Sequence, residues 1–115
     1  MSDLEQLTQR LRSFADTRDW EQFHSPKNLS MALIVEAAEL VEHFQWLTED
    51  QSRTLSAEKL REVELEMADI FIYLVRMADR LGVDLVSAAS RKIEINERKY
   101  PVDKARGNAD KTRIS

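Results

Sequence analysis

Residues 56–82 read SAEKLREVELEMADIFIYLVRMADRLG, and the fold follows from them. Ser56 is a strong N-cap type, with Glu58 and Lys59 in the turns after it, and Gly82 is the residue type that closes a helix in the left-handed conformation. No proline or glycine interrupts the run between them, so one helix is predicted over 56–81. Val63, Met67, Ile70, Leu74 and Met77 recur at spacings of three and four and define its core stripe. Ala68 to Val75 is apolar nearly all round, apart from Asp69 and Tyr73. A helix apolar on several faces is covered on several faces, and in a chain of 115 residues that predicts a subunit interface.

Three more helices are predicted on either side. Leu4, Leu7, Leu11 and Phe14 give a first helix over 3–17. Ser25-Pro26, an N-cap followed by proline at the first helical position, opens a second that is read to 47. Asp84 caps a fourth over 85–98, which Tyr100-Pro101 ends. Thr48 to Ser56 is polar and reads as a loop. The expectation is an all-α, mostly antiparallel four-helix bundle, with residues 1–102 as one domain and 103–115 as a charged tail without periodicity. Only two glycines and two prolines argue against an all-β fold, and the lack of cysteine excludes disulfides, zinc–thiolate sites, Fe–S clusters and a cysteine nucleophile. No apolar stretch reaches the roughly 20 residues of a membrane helix, and residues 1–12 lack the apolar core of a signal peptide. A cytoplasmic protein that does not bind membranes is expected. The net charge of −4 disfavours long nucleic acid, whose phosphates need a basic surface, but allows a single nucleotide, because a bound metal reverses the local sign.

The second helix carries acids on its apolar side. On a wheel of about 100° per residue with Leu29 at zero, Leu33, Leu40, Phe44 and Leu47 fall within about 60°. Glu36 lies inside that stripe at about 340°, His43 beside it, and Glu39 at about 280°, between Ala32 and Trp46. The third helix does the same, with Glu66 about 20° from Met77, Asp69 three residues on, Tyr73 a further four, and Glu62 bordering that side. Each helix thus offers a carboxylate pair at i, i+3, and antiparallel packing lets the pairs converge. Four such acids in a poor dielectric repel unless cations or protons intervene. All-oxygen ligands suit Mg²⁺, with Mn²⁺ as a substitute; Mg²⁺ completes its shell with water and substrate phosphate. The competing reading is that Arg61, Arg76 and Arg80 neutralise these acids in ion pairs. A di-iron carboxylate bundle would need Glu-x-x-His on two helices, whereas Glu39 and His43 are four apart and the third helix has no histidine.

On the fourth helix Lys92, Asn96 and Lys99 share a face, with Arg91, Arg98 and Arg106 nearby. Acids for a metal and bases for a phosphate tail suit a metal–triphosphate complex; the plainer reading is a solvated basic face. His24, Trp46 and Tyr73 are candidates for an aromatic base pocket, or simply core.

The ordered set Phe23-His24-Ser25-Pro26-Lys27-Asn28-Leu29, Glu36-Ala37-Ala38-Glu39-Leu40, Phe44-Gln45-Trp46, Glu66-Met67-Ala68-Asp69-Ile70, Ile72-Tyr73-Leu74-Val75, Lys92-Ile93-Glu94-Ile95-Asn96 and Lys99-Tyr100-Pro101-Val102 resembles the all-α nucleotide pyrophosphohydrolases of the MazG-like superfamily, especially the dCTP pyrophosphatase-like branch. The resemblance spans about residues 15–111. It implies Mg²⁺-dependent cleavage of a nucleoside triphosphate, such as dCTP, to the monophosphate and pyrophosphate. It implies Glu36, Glu39, Glu66 and Asp69 as metal ligands, and Lys92, Asn96 and Lys99 or Tyr100 as phosphate contacts. His24, Trp46 and Tyr73 match nucleotide-contacting positions, and dimers or tetramers with sites at chain interfaces are implied, as is a role in clearing damaged or excess nucleotides. Thr112 departs from the pattern, standing where relatives often have tyrosine. Joining both lines, Glu39 is expected to orient or deprotonate the attacking water and Lys92 to stabilise the leaving pyrophosphate. The alternatives are another substrate within the superfamily, dUTP or phosphoribosyl-ATP, and a non-catalytic helical scaffold.

Overall fold

A computed structural model of the chain describes residues 1–109. These form α1 (Asp3–Thr17), one 3-10 turn (Glu21–Phe23), α2 (Pro26–Glu42), α3 (Glu49–Arg53), α4 (Ala57–Leu81), α5 (Leu85–Lys99) and α6 (Val102–Ala105). No strand occurs among the described residues, and four of the helices are long, so the fold is all-α. The chain divides into two compact units, Met1–Gly82 and the segment from Val83 onward.

In the first unit α4 is the spine, and both α1 and α2 pack on it. The starts of these helices are fixed locally. The Ser2, Ser25 and Ser56 hydroxyls accept from the N–H groups of Glu5, Asn28 and Lys59, and Glu5 returns the bond to Ser2 in a capping box. Each cap satisfies an N–H that the helix itself leaves unpaired. Gly82 closes α4 at φ 69°. The end of α1 is less usual. Trp20 N–H bonds back to Ala15 O at 2.9 Å and Asp19 N–H to Asp16 O at 3.1 Å, the Schellman pattern, with Asp19 at φ 55° where glycine is favoured. This turn folds Trp20 back onto Phe14, ring centroids 5.6 Å apart and edge to face. Asp19→Gly is therefore expected to stabilise the chain by about 0.5 kcal/mol, measured by urea denaturation.

The buried apolar residues are Ala15, Leu29, Val63, Val75 and Ala78. The predicted stripe of α4 is only partly correct. Val63 is buried, but Met67 and Leu74 are exposed along with Leu65 and Phe71. Both α1 and α2 contact α4, yet an apolar surface of α4 that includes Leu65, Met67, Phe71 and Leu74 is left uncovered.

Two boundaries also differ. The second helix ends at Glu42 rather than 47: His43, Phe44 and Leu47 donate to the carbonyls three residues back, winding the chain into tighter turns. Within 48–56, read as a loop, Thr48 and Gln51 form a capping box that starts α3.

In the second unit, Asp84 accepts from Ser87 N–H at 3.0 Å to start α5, and Tyr100 N–H reaches Asn96 O at 2.7 Å at its end. The tail is not wholly irregular, because Pro101 opens the short α6. Thr112 lies outside the described residues. No helix among the described residues is long and apolar enough to cross a membrane.

Candidate functional site

Glu36 and Glu39 stand one turn apart on α2, and Glu66 faces them from α4. One carboxylate oxygen from each lies within 4.8 Å of the other two. Glu36 Oε2 and Glu66 Oε2 are buried and accept no hydrogen bond. A buried acceptor without a partner costs about 1–3 kcal/mol, more when charged. Asp69, one turn beyond Glu66, is exposed, but its charge reaches Glu36. The structure thus gathers three of the four expected acids tightly and places the fourth at their margin.

The arginines that could have neutralised them are engaged elsewhere. Arg76 pairs with Glu21 at 3.0 Å and Asp79 at 3.2 Å, and Arg80 lies 3.7 Å from Glu21. Arg61 makes no ion pair among the described residues. Among the described residues His43 is the basic group that approaches the cluster, its Nε2 4.0 Å from Glu66 Oε1 and its Nδ1 3.8 Å from Glu62 Oε2. Those separations exceed hydrogen-bond length.

Glu36 carries the strain. Burial first, then the nearby carboxylates of Glu39 and Glu66 and the charge of Asp69, push its carboxyl from the ordinary 4.5 up to about 7. Between these values the folded chain holds a proton that the unfolded chain releases, so this contribution to stability is full below about 4.5 and is lost as pH rises through 7. Burial first, and then Arg76 and Arg80, lower the pKa of His24, which works in the opposite direction. The contribution of Glu36 is isolated by difference: with EDTA present, Tm of the wild type minus that of Glu36→Gln is expected to fall between pH 5 and pH 8.

Three hard oxygen donors at this separation suit a small divalent cation. The two unpaired oxygens are the feature such an ion would satisfy.

Next to the acids is a cleft of about 320 Å³ lined by Leu11, Phe14, Ala15, Trp20, His24, Asp69, Ile72, Tyr73 and Arg76. Trp20 meets His24 edge to face, centroids 6.3 Å apart. Burial first, and then the charges of Glu36, Asp69 and Glu39, raise the Tyr73 hydroxyl above its ordinary value, so it remains a proton donor at neutral pH. His24 and Tyr73 both line this cleft. Trp46 does not: it sits in the turn after α2, 87% exposed and away from the cleft lining. Trp20, which the sequence reading does not single out, lines the cleft and follows the left-handed turn at Asp19.

Lys92, Asn96 and Lys99 share one side of α5, with Asn96 half-buried and both lysines exposed. The Lys99 ammonium lies 5.4 Å from the Tyr100 ring centroid. These residues belong to the second unit.

An all-helical chain with converging carboxylates beside an aromatic cleft defines a class of acid-cluster helical proteins. Residues 31–113 match the model of the MazG-like family, and the chain belongs to that family. It is 43% identical to dCTP pyrophosphatase 1 of Bos taurus and 42% identical to that of Homo sapiens, each over 110 residues, 94% of this chain. The chain spans 65% of the length of these curated relatives. A crystal structure of a pyrophosphatase from Archaeoglobus fulgidus is similar with a TM-score of 0.72 and 39% identity, over 88% of this chain and 94% of that one.

Proposed function

We propose that the protein is a Mg²⁺-dependent nucleoside triphosphate pyrophosphohydrolase that cleaves dCTP or a related deoxynucleotide to the monophosphate and pyrophosphate. The observation that carries this is the pair of buried, unpartnered oxygens of Glu36 and Glu66 converging with Glu39 beside the aromatic cleft. The names of the relatives support the substrate class.

Glu36, Glu39, Glu66 and Asp69 would hold the metal, which, when bound, supplies a Lewis acid for the phosphates and acidifies water. Glu39 orients and deprotonates the water that attacks the α-phosphorus. The cleft walls Trp20 and Tyr73 stack against the base, and His24 hydrogen-bonds its edge. Trp46 keeps its proposed nucleotide contact only if it acts from outside this cleft. Lys92, with Asn96, Lys99 and Tyr100, takes the phosphate-contact role; Lys92 stabilises charge on the leaving pyrophosphate. Hydrolysis of dCTP in ¹⁸O-water tests the site of attack. Label in dCMP supports it, and label in pyrophosphate, or release of inorganic phosphate with dCDP, contradicts it.

We also propose self-association as a dimer or tetramer. Leu65, Met67, Phe71 and Leu74 of α4 and Met31, Ile34, Val35 and Val41 of α2 are uncovered in the single chain, more apolar surface than a monomer of this size ordinarily leaves in water. Phe71→Glu is expected to shift the sedimentation coefficient toward that of a monomer.

A further inference from the structure

We propose that Arg76 is a positioning residue that sets the tautomer of His24, so that the imidazole offers an Nε2–H donor to an acceptor atom on the base. The proposal rests on reading the cleft as the base site and adds to that reading which edge of the base is recognised.

Arg76 directly follows the apolar run of α4 and is only 3% exposed. Its guanidinium is fixed on three sides. Nη2 donates to Glu21 Oε1 at 3.0 Å, Nη1 to Asp79 Oδ2 at 3.2 Å, and Nε to His24 Nδ1 at 3.2 Å. The two carboxylates are themselves held, Asp79 by Arg12 Nε at 2.8 Å and Glu21 by Arg80. A planar fork tied to two anchored carboxylates cannot rotate away from the histidine.

Guanidinium has donors and no acceptor, and it does not lose its proton in proteins. Nδ1 of His24 must therefore be the lone-pair nitrogen, and the single proton of the neutral ring must sit on Nε2. Within the first unit Nε2 has no protein partner, and the ring lines the cleft. Arg76 already spends its outer nitrogens on Glu21 and Asp79, and the Phe14, Trp20, Ile72 and Tyr73 walls suit a flat heterocycle. An Nε2–H donor in such a slot selects a ring carbonyl or an unprotonated ring nitrogen, as on the O2/N3 edge of cytosine, and not an exocyclic amine.

The test has two parts. Long-range ¹H–¹⁵N correlation spectra of the nucleotide-free protein report the tautomer of each histidine, with His24→Phe assigning the two ring systems. The expected result is His24 wholly in the Nε2–H form in wild type, and a mixture with the Nδ1–H form in Arg76→Met. Arg76→Lys, which keeps a charge between Glu21 and Asp79 but loses the planar third donor, should show the same mixture and serves if the methionine variant fails to fold. For dCTP hydrolysis with Mg²⁺, either variant should raise KM about tenfold, the worth of one hydrogen bond, with kcat within about twofold of wild type. In the His24→Phe background the same substitution should leave KM unchanged. An unaltered tautomer, or a KM penalty that persists in that background, would reduce Arg76 to a buried ion-pair partner. Because the tautomer spectra need no nucleotide, a wild type that hydrolyses nothing would overturn the assignment of the cleft while leaving the Arg76–His24 result separately readable.

Discussion

Glu39→Gln is expected to lower kcat for dCTP by about a thousandfold while the helical circular dichroism spectrum is unchanged. Placed among Glu36 and Glu66, Glu39 is the acid proposed to take the proton of the attacking water, and a positioned general base contributes about 10²–10⁴ in rate. The amide has nearly the same shape but cannot accept a proton at neutral pH. The substitution also removes one like charge from a cluster whose members already push Glu36 toward neutrality, so Tm in EDTA should hold or rise rather than fall. The measurement is pyrophosphate release at saturating dCTP and Mg²⁺, paired with a thermal melt. An unchanged kcat would remove Glu39 from the chemistry and leave it as a ligand or bystander.

The second large effect is on stability. Leu29 is 1% exposed, the largest side chain buried that completely, on the helix that packs along α4. Leu29→Ala is expected to cost about 3 kcal/mol, transfer and cavity terms together. Leu65→Ala, at a position 68% exposed, should cost less than about 0.5 kcal/mol in the single chain. Urea titrations of both, at matched protein concentration because association stabilises by mass action, compare the two. A Leu29→Ala cost under about 1 kcal/mol would mean that the α2–α4 contact is not where the first unit draws its stability.

The parts of the fold that sequence made legible are those governed by local chemistry. Ser25-Pro26, Ser56, Gly82 and Asp84 bound their helices where capping rules place them. The acids stood out for a similar reason: Glu36 within an apolar stripe is a local contradiction, and Glu66 repeats it on α4. What sequence left hidden is tertiary or depends on weak turns. The five residues after Glu42 carry no glycine or proline to mark the helix end, and the α3 capping box sits in a stretch too short to show a period. Asp19 does a glycine's work without being one, so the turn that delivers Trp20 to the cleft gave no sign. In sequence Arg76 is only one of three arginines able to neutralise the acids; its partner Glu21 is 55 residues away and His24 52, beyond any local pattern. Its other carboxylate partner, Asp79, is three residues on along the same helix, whereas Glu66 and Asp69 are not among its partners within the described residues.

Pyrophosphate release from a panel of deoxynucleoside and ribonucleoside triphosphates, with Mg²⁺ and with EDTA, most directly tests the claim that this acid cluster hydrolyses nucleotides between the α- and β-phosphates. The predicted result is release matched one for one by monophosphate, highest for dCTP, and abolished by EDTA. Folded, associated protein that releases no pyrophosphate from any member of the panel, or that releases it equally in EDTA, would contradict the account.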